Sequence, residues 1–366
     1  MEQARLPRVI GTSKKFEGPL PPRFASHFRE RVIAHRGSSG LYPENTMMAF
    51  RHAWDGGCRV LETDVQVTAD GVVVCFHDAT LDRITNLNGP ISGYTWEILA
   101  TTAVVHGPNG WRDRILKLDD LLVAFPYAQF IIDIKNPAAI DALIEVINRT
   151  RSAGRICVSH SWASYLEEVR ARTSPLLQRT LGWENLAELI RCARLGLKPD
   201  PHLRVSNWAH IPYDGVMSPL MRNPVFAERF MSMAHDLGIG VRVWSVNSFT
   251  AMNQFWNMGI DAVTTDYPER AIEMMINREA RNRRGELLVC PSALTSNSTE
   301  PRCTTPEQVT QVAQSAQADL SAQPSQGART SSTPSQRSTQ SAPAESITMK
   351  RPSRRELRLA GHYRKS

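Results

Sequence analysis

The chain has 366 residues, 42% apolar and 22% charged, with 8 Trp, 7 Tyr and 11 Phe, enough to bury one large domain or two ordinary ones. No apolar run approaches the roughly 20 residues of a membrane-spanning helix, and the first residues, with Arg5, Arg8, Lys14 and Lys15, lack the apolar stretch of a secretory signal. The net charge of +7 lies wholly in residues 278–366, which hold 14 basic and 7 acidic side chains, so the balanced remainder gives no reason to expect specific nucleic-acid binding.

Residues 1–30 read as a polar lead-in with a proline patch at Pro19, Pro21 and Pro22. From 31 to 277, short β-branched runs alternate with helical patterns. Strands are expected at 32–37, 60–67, 72–78, 129–135, 155–160, 176–181, 241–247 and 262–266. Helices fit between most of them, one over 44–55 opened by Pro43-Glu44-Asn45-Thr46 and another over 138–152. Eight runs with helices over about 250 residues match a (β/α)8 TIM barrel. An open doubly wound sheet is the alternative, but no glycine-rich phosphate loop follows the first strand. Residues 68–71 are too few for a parallel return, and Asp70-Gly71 between β-branched runs signals a hairpin. A turn centred between Ala69 and Asp70 sets Glu62 opposite His77 and Asp64 opposite Cys75, a pairing that a one-residue slip would undo. Trp54, Trp96, Trp162 and Trp256 sit at helical positions and are expected in the core. Residues 278–366 begin as the end of a helix and become rich in Ser, Thr, Gln and Pro. No aromatic residue occurs from 291 to 350, so this tail is expected to be disordered. The six cysteines form no C-x-x-C pair, which suits a reducing, cytoplasmic setting and argues against a zinc knuckle.

Polar residues inside the apolar strands carry the chemical signal. Glu62 and Asp64 are two apart and share one face of a strand. Asp133 and Lys135 do the same on another. His35-Arg36-Gly37 closes the first strand and His77-Asp78 the third. Polar side chains at the C-terminal ends of barrel strands are typically catalytic. Three carboxylates, Glu62, Asp64 and Asp133, make a hard oxygen site suited to one divalent cation, Mg²⁺ or Ca²⁺. His35 and His77 can take and give protons, and Arg36 and Lys135 suit an anionic oxygen such as phosphate. Each signal has an ordinary structural reading: a core histidine, a solvated acidic face, an Asp133–Lys135 ion pair. Together those readings are hard to sustain, because unpaired buried charges are costly. Trp244 differs from the other tryptophans, since its strand ends in Ser245 and Asn247.

The order of these motifs resembles the glycerophosphodiester phosphodiesterase family. His35-Arg36-Gly37, Pro43-Glu44-Asn45-Thr46, Glu62-x-Asp64-Val65, Thr68-x-Asp70-Gly71 and His77-Asp78 are similar to the family's N-terminal half. Asp133-Ile134-Lys135, Trp244-Ser245-Val246-Asn247 and Thr265-Asp266-x-Pro268 are similar to its later strands. The resemblance spans residues 31 to about 277, with no large domain inserted between His77 and Asp133. It implies a metal-dependent TIM barrel that cleaves glycerophosphodiesters to sn-glycerol 3-phosphate and an alcohol. Glu62, Asp64 and Asp133 would hold the metal, and His35 and His77 would serve as acid and base. Arg36 and Lys135 would face the phosphate, with Glu44 supporting the metal or the substrate hydroxyls and Trp244 lining the substrate site. Two positions depart from the pattern: Asp133 replaces the usual Glu, and Ser245 replaces Thr. A lysophospholipase D acting on single-chain phospholipids and a non-catalytic binding scaffold are the rival readings. The tail, with seven Lys or Arg against Glu356 between 350 and 366, is expected to be dispensable for catalysis and to adhere weakly to anionic membrane surfaces.

Overall fold

The computed structural model describes residues 28–213 and 217–283. The lead-in and the basic tail therefore fall almost wholly outside the described residues. Eight parallel strands form the barrel: β1 (Val32–Ala34), β2 (Val60–Val67), β3 (Gln129–Ile134), β4 (Ile156–Ser159), β5 (Gln178–Arg179), β6 (Trp208–Pro212), β7 (Gly240–Trp244) and β8 (Ala262–Thr265). Each hydrogen-bonds to its neighbour in chain order, β8 returns to β1, and a single parallel bridge between Thr180 and Trp208 joins β5 to β6. Helices follow the strands and cover the outside. Both faces of the sheet are thus enclosed, and all eight residues of β2 are buried, polar ones included.

The expected barrel is present, but one of its eight strands is not among the eight expected runs. The 72–78 run supplies Val73–Cys75, which pairs antiparallel with β2 as the hairpin arm and stays outside the barrel. The eighth barrel strand is β6, Trp-Ala-His-Ile-Pro, whose histidine and proline break the β-branched pattern that marks the others. The hairpin register also differs by one residue. Val65 pairs Cys75 and Val67 pairs Val73, so Asp64 is not opposite Cys75 and Glu62 is not opposite His77. Thr68 accounts for the slip. Its N–H donates to the Val72 carbonyl and its hydroxyl accepts from the Val72 N–H, which centres the turn on Asp70. His77 reaches the site because the chain leaves the ladder after Cys75.

The 44–55 segment is similarly redivided. The helix starts at Met47, with the Thr46 hydroxyl capping the Ala49 N–H, because Asn45 sits at φ 59° and cannot be helical. Glu44 and Asn45 are released into a loop at the barrel mouth. Ala49, Phe50 and Ala53 then bury one face of the helix. The 138–152 helix runs from Ile140 to Thr150 after a 3-10 turn at Pro137–Ala139. Trp256 is core, but Trp162 precedes its helix as the N-cap and is 60% exposed. Ile33, Val60, Ile131, Cys157, Trp208 and Ala262 point inward and fill the barrel's lower interior. A smaller core under the segment after the hairpin (Val74, Phe76, Leu81, Ile91, Leu99) anchors the loop that carries His77 and Asp78. Among the described residues no helix is long and apolar enough to cross a membrane.

Gly37 shows how tightly the first loop is built. It sits at φ 82°, and a Cβ there would lie 2.6 Å from the Ala49 carbonyl carbon. Left-handed backbone and overpacking each cost about 1–3 kcal/mol, so Gly37→Ala is expected to destabilise the domain by about 3 kcal/mol. Thermal unfolding checks this, and an unchanged Tm would contradict it.

Candidate active site

The polar side chains gather at the C-terminal end of the barrel. Arg36 adopts φ 53°, a left-handed conformation uncommon outside glycine. The turn aims its N–H at Glu62 Oε2 (2.9 Å), while its guanidinium reaches Glu44 Oε1 (2.8 Å) and sits 2.9 Å from Asp64 Oδ2. Asn45 donates to Asp64 Oδ2 and accepts from the Thr63 hydroxyl. Asp64 and Asp133 are register partners on β2 and β3, and Lys135 Nζ lies between them, 3.1 Å from Asp64 Oδ1 and 2.6 Å from Asp133 Oδ2. Seven of the nine residues expected from sequence (His35, Arg36, Glu44, Glu62, Asp64, Asp133 and Lys135) thus share one mouth. Trp244 ends β7 at the same end of the barrel, 36% exposed, with no hydrogen bond to the acids.

His77 joins through a relay. Its Nδ1 lies 2.6 Å from Asp78 Oδ1, and Arg83 ties Asp78 to both oxygens of Glu44. His35 has a matching partner: its Nδ1 lies 2.6 Å from Asp266 Oδ1, and that carboxylate also accepts from Ser39 and Asn247. Each imidazole is held through Nδ1 by a carboxylate, which leaves Nε2 for chemistry. Asp78, Asp266, Arg83 and Asn45 join the site as partners not expected from the sequence. Asp78 and Asp266 lie inside the quoted motifs, and Asp78 is the sequence neighbour of the histidine it orients; the pairings of Asp266 with His35 and of Arg83 with Glu44 span 231 and 39 positions and carry no local signal.

The electrostatics are uneven across the mouth. Burial favours a neutral Glu62 and the adjacent Asp64 adds repulsion, so the Glu62 carboxyl is pushed well above the usual carboxylate range. Burial acts on Asp64 in the same sense, but Lys135 and Arg36 outweigh it and hold it low. Burial pulls the His35 imidazole toward neutrality, yet the Asp266 hydrogen bond and the Glu62 charge prevail and raise its pKa. For His77, burial prevails over Asp64 and the pKa falls. Asp266 is lowered to about 2, since its hydrogen bonds to His35 and Asn247 overcome desolvation. Two histidines with pKa values displaced in opposite directions suit an acid and a base.

Among the described residues, no three acidic, histidine or cysteine side chains stand close enough around one point to hold a metal ion as arranged. Lys135 Nζ instead lies within ion-pair distance of both Asp64 and Asp133. The donor set still fits a hard divalent cation. It consists of carboxylate oxygens from adjacent strands, a cationic nitrogen already occupies the gap between two of them, and Glu62 is short of positive charge.

Residues 35–270 match the model of the glycerophosphoryl diester phosphodiesterase family. This chain belongs to that family. It is therefore an enzyme of the phosphodiesterase class. A probable glycerophosphodiester phosphodiesterase 2 of Mycobacterium tuberculosis is 30% identical, over 70% of this chain and 94% of its own length. A lysophospholipase D of Rattus norvegicus is 26% identical, over 73% of this chain and 92% of its own. Among solved structures, an Oleispira antarctica phosphodiesterase in complex with the product sn-glycerol-3-phosphate superposes with a TM-score of 0.51 at 23% identity, covering 68% of this chain and 96% of that one. At that identity the match concerns the barrel fold.

Proposed function

We propose that this enzyme hydrolyses glycerophosphodiesters to sn-glycerol 3-phosphate and an alcohol. The observation that carries the reading is the pairing of two carboxylate-held histidines, His35–Asp266 and His77–Asp78, around a mouth where Arg36 and Lys135 meet three acids. Glu62, Asp64 and Asp133 would hold a divalent cation, Mg²⁺ or Ca²⁺, which when bound would supply Lewis-acid stabilisation of charge developing on the phosphate oxygens. Arg36 and Lys135 orient the phosphate. His77, whose pKa burial lowers, accepts a proton from the nucleophile through Nε2. His35, whose pKa the Asp266 hydrogen bond helps to raise against burial, donates one to the departing alkoxide. Glu44 fixes Arg36 from one side and Arg83 from the other, and so joins the phosphate-binding arginine to the His77 relay.

The shorter Asp133 is central to the metal reading. Asp133→Ala is expected to abolish turnover, whereas Asp133→Glu preserves or raises it by restoring the family's longer carboxylate. Steady-state rates across a Mg²⁺ and a Ca²⁺ titration check this. Equal loss in both variants would remove Asp133 from the metal set.

A lysophospholipase D is the second reading, favoured by the mammalian relative bearing that name. Comparing glycerophosphocholine, glycerophosphoethanolamine, glycerophosphoinositol and lysophospholipids, each with Mg²⁺, Ca²⁺ or chelator, separates the two. Our reading expects the short diesters to be turned over fastest and chelator to stop the reaction. Preference for the acylated substrates would favour the second. We further assign catalysis to residues 31–277 and weak, salt-sensitive contact with anionic membranes to the basic tail. A chain stopped at Arg284 should keep full turnover on a soluble diester and pellet less with anionic liposomes at low salt. Unequal turnover or equal pelleting would contradict that assignment.

A further inference from the structure

His210 on β6 takes no part in the machinery described above. It pairs in register with Arg242 on β7 and follows the inward-pointing Trp208 by two residues, so it too points inward. Its ring centroid is 5.4 Å from that of Trp244, at the mouth. The Nε2 atom is buried and has no hydrogen-bond partner among the described residues, although the residue as a whole retains partial exposure. In a ring of eight strands, β6 and β7 stand across from β2 and β3, which carry the acids and Lys135. That wall therefore faces the position where Arg36 and Lys135 would hold a phosphate.

The chemistry of the wall selects what fits there. Burial and the positive charges of Arg242, His35 and Lys135 keep the His210 imidazole neutral. The same three cations repel a cationic head group such as a choline or an ethanolamine. Arg242 itself is nearly fully buried, bonded to Cys157 Sγ and set over the Trp208 ring. A neutral imidazole offers one donor and one acceptor, and a hydroxyl is the complement of both.

We propose that His210 is a specificity-determining residue that hydrogen-bonds a hydroxyl of the glycerol moiety, with Trp244 as its packing wall, so that the mouth recognises a glycerol phosphoester and not phosphate alone. The proposal rests on the glycerophosphodiester reading and names the group that reads the glycerol. Leaving a buried polar atom unpaired penalises a ligand lacking the hydroxyl.

The test is calorimetric titration of the full chain, in Mg²⁺ buffer, with sn-glycerol 3-phosphate and with inorganic phosphate. The wild type should bind glycerol 3-phosphate more tightly. His210→Phe should weaken that binding by about 10- to 100-fold and leave phosphate binding unchanged. Independently of whether that variant folds, the His210 ring nitrogen resonances of the wild type should move on addition of glycerol 3-phosphate and stay in place with phosphate. A wild type without the preference, a variant that loses both ligands equally or neither, or equal resonance shifts with both ligands would overturn the proposal. Failure of the wild type to turn over any glycerophosphodiester would instead strike the functional reading.

Discussion

His35→Ala and His77→Ala each lower turnover by about 10²- to 10⁴-fold, the range for loss of one proton-transfer group. Both residues sit beyond the ends of their strands, and each carboxylate partner keeps other hydrogen bonds: Asp266 to Ser39 and Asn247, Asp78 to Arg83. The fold should therefore survive both changes, with circular dichroism spectra matching the wild type. Near-normal turnover in either variant would remove that histidine from the mechanism.

Asp64→Ala should be the most damaging single change in the mouth. Asp64 is 2% exposed and meets Arg36, Asn45 and Lys135 at once. Removing one partner of a buried ion pair costs about 3–5 kcal/mol, because the remaining charge stays buried and uncompensated. Here Lys135 keeps Asp133 and Arg36 keeps Glu44, so about 3 kcal/mol is expected, together with loss of measurable turnover. Denaturant unfolding and steady-state kinetics on the same preparation check both parts. A variant that is as stable as the wild type, or that retains activity, would contradict the place given to Asp64.

What the sequence made legible follows from where the signal is local. Glu62, Asp64, Asp133 and Lys135 stand out because charged residues two apart in an apolar strand must share a face, and the structure sets them on the inner face of the barrel. His35 and Arg36 stand out because they follow directly on the first apolar strand, where barrel side chains reach the mouth. The hairpin after β2 was legible from Asp70-Gly71, but its register was not, since the choice depends on the side-chain hydrogen bond of Thr68. β6 escaped because Trp208, His210 and Pro212 lack β-branched periodicity; pairing with β7 and burial of Trp208 make it a strand. His210 was hidden with it. The Arg83–Glu44 and His35–Asp266 contacts join positions 39 and 231 apart, and only the closed barrel brings them together.

On the reading proposed above, this mouth breaks the bond between phosphorus and the alcohol oxygen, leaving phosphate on glycerol. Phosphorus nuclear magnetic resonance of glycerophosphocholine incubated with the enzyme and Mg²⁺ tests it most directly. The glycerophosphocholine phosphorus signal should be replaced by that of sn-glycerol 3-phosphate, with free choline in equal amount in the proton spectrum of the same sample and neither formed by the Asp64→Ala protein; release of glycerol and phosphocholine, or no turnover with any divalent ion, would contradict it.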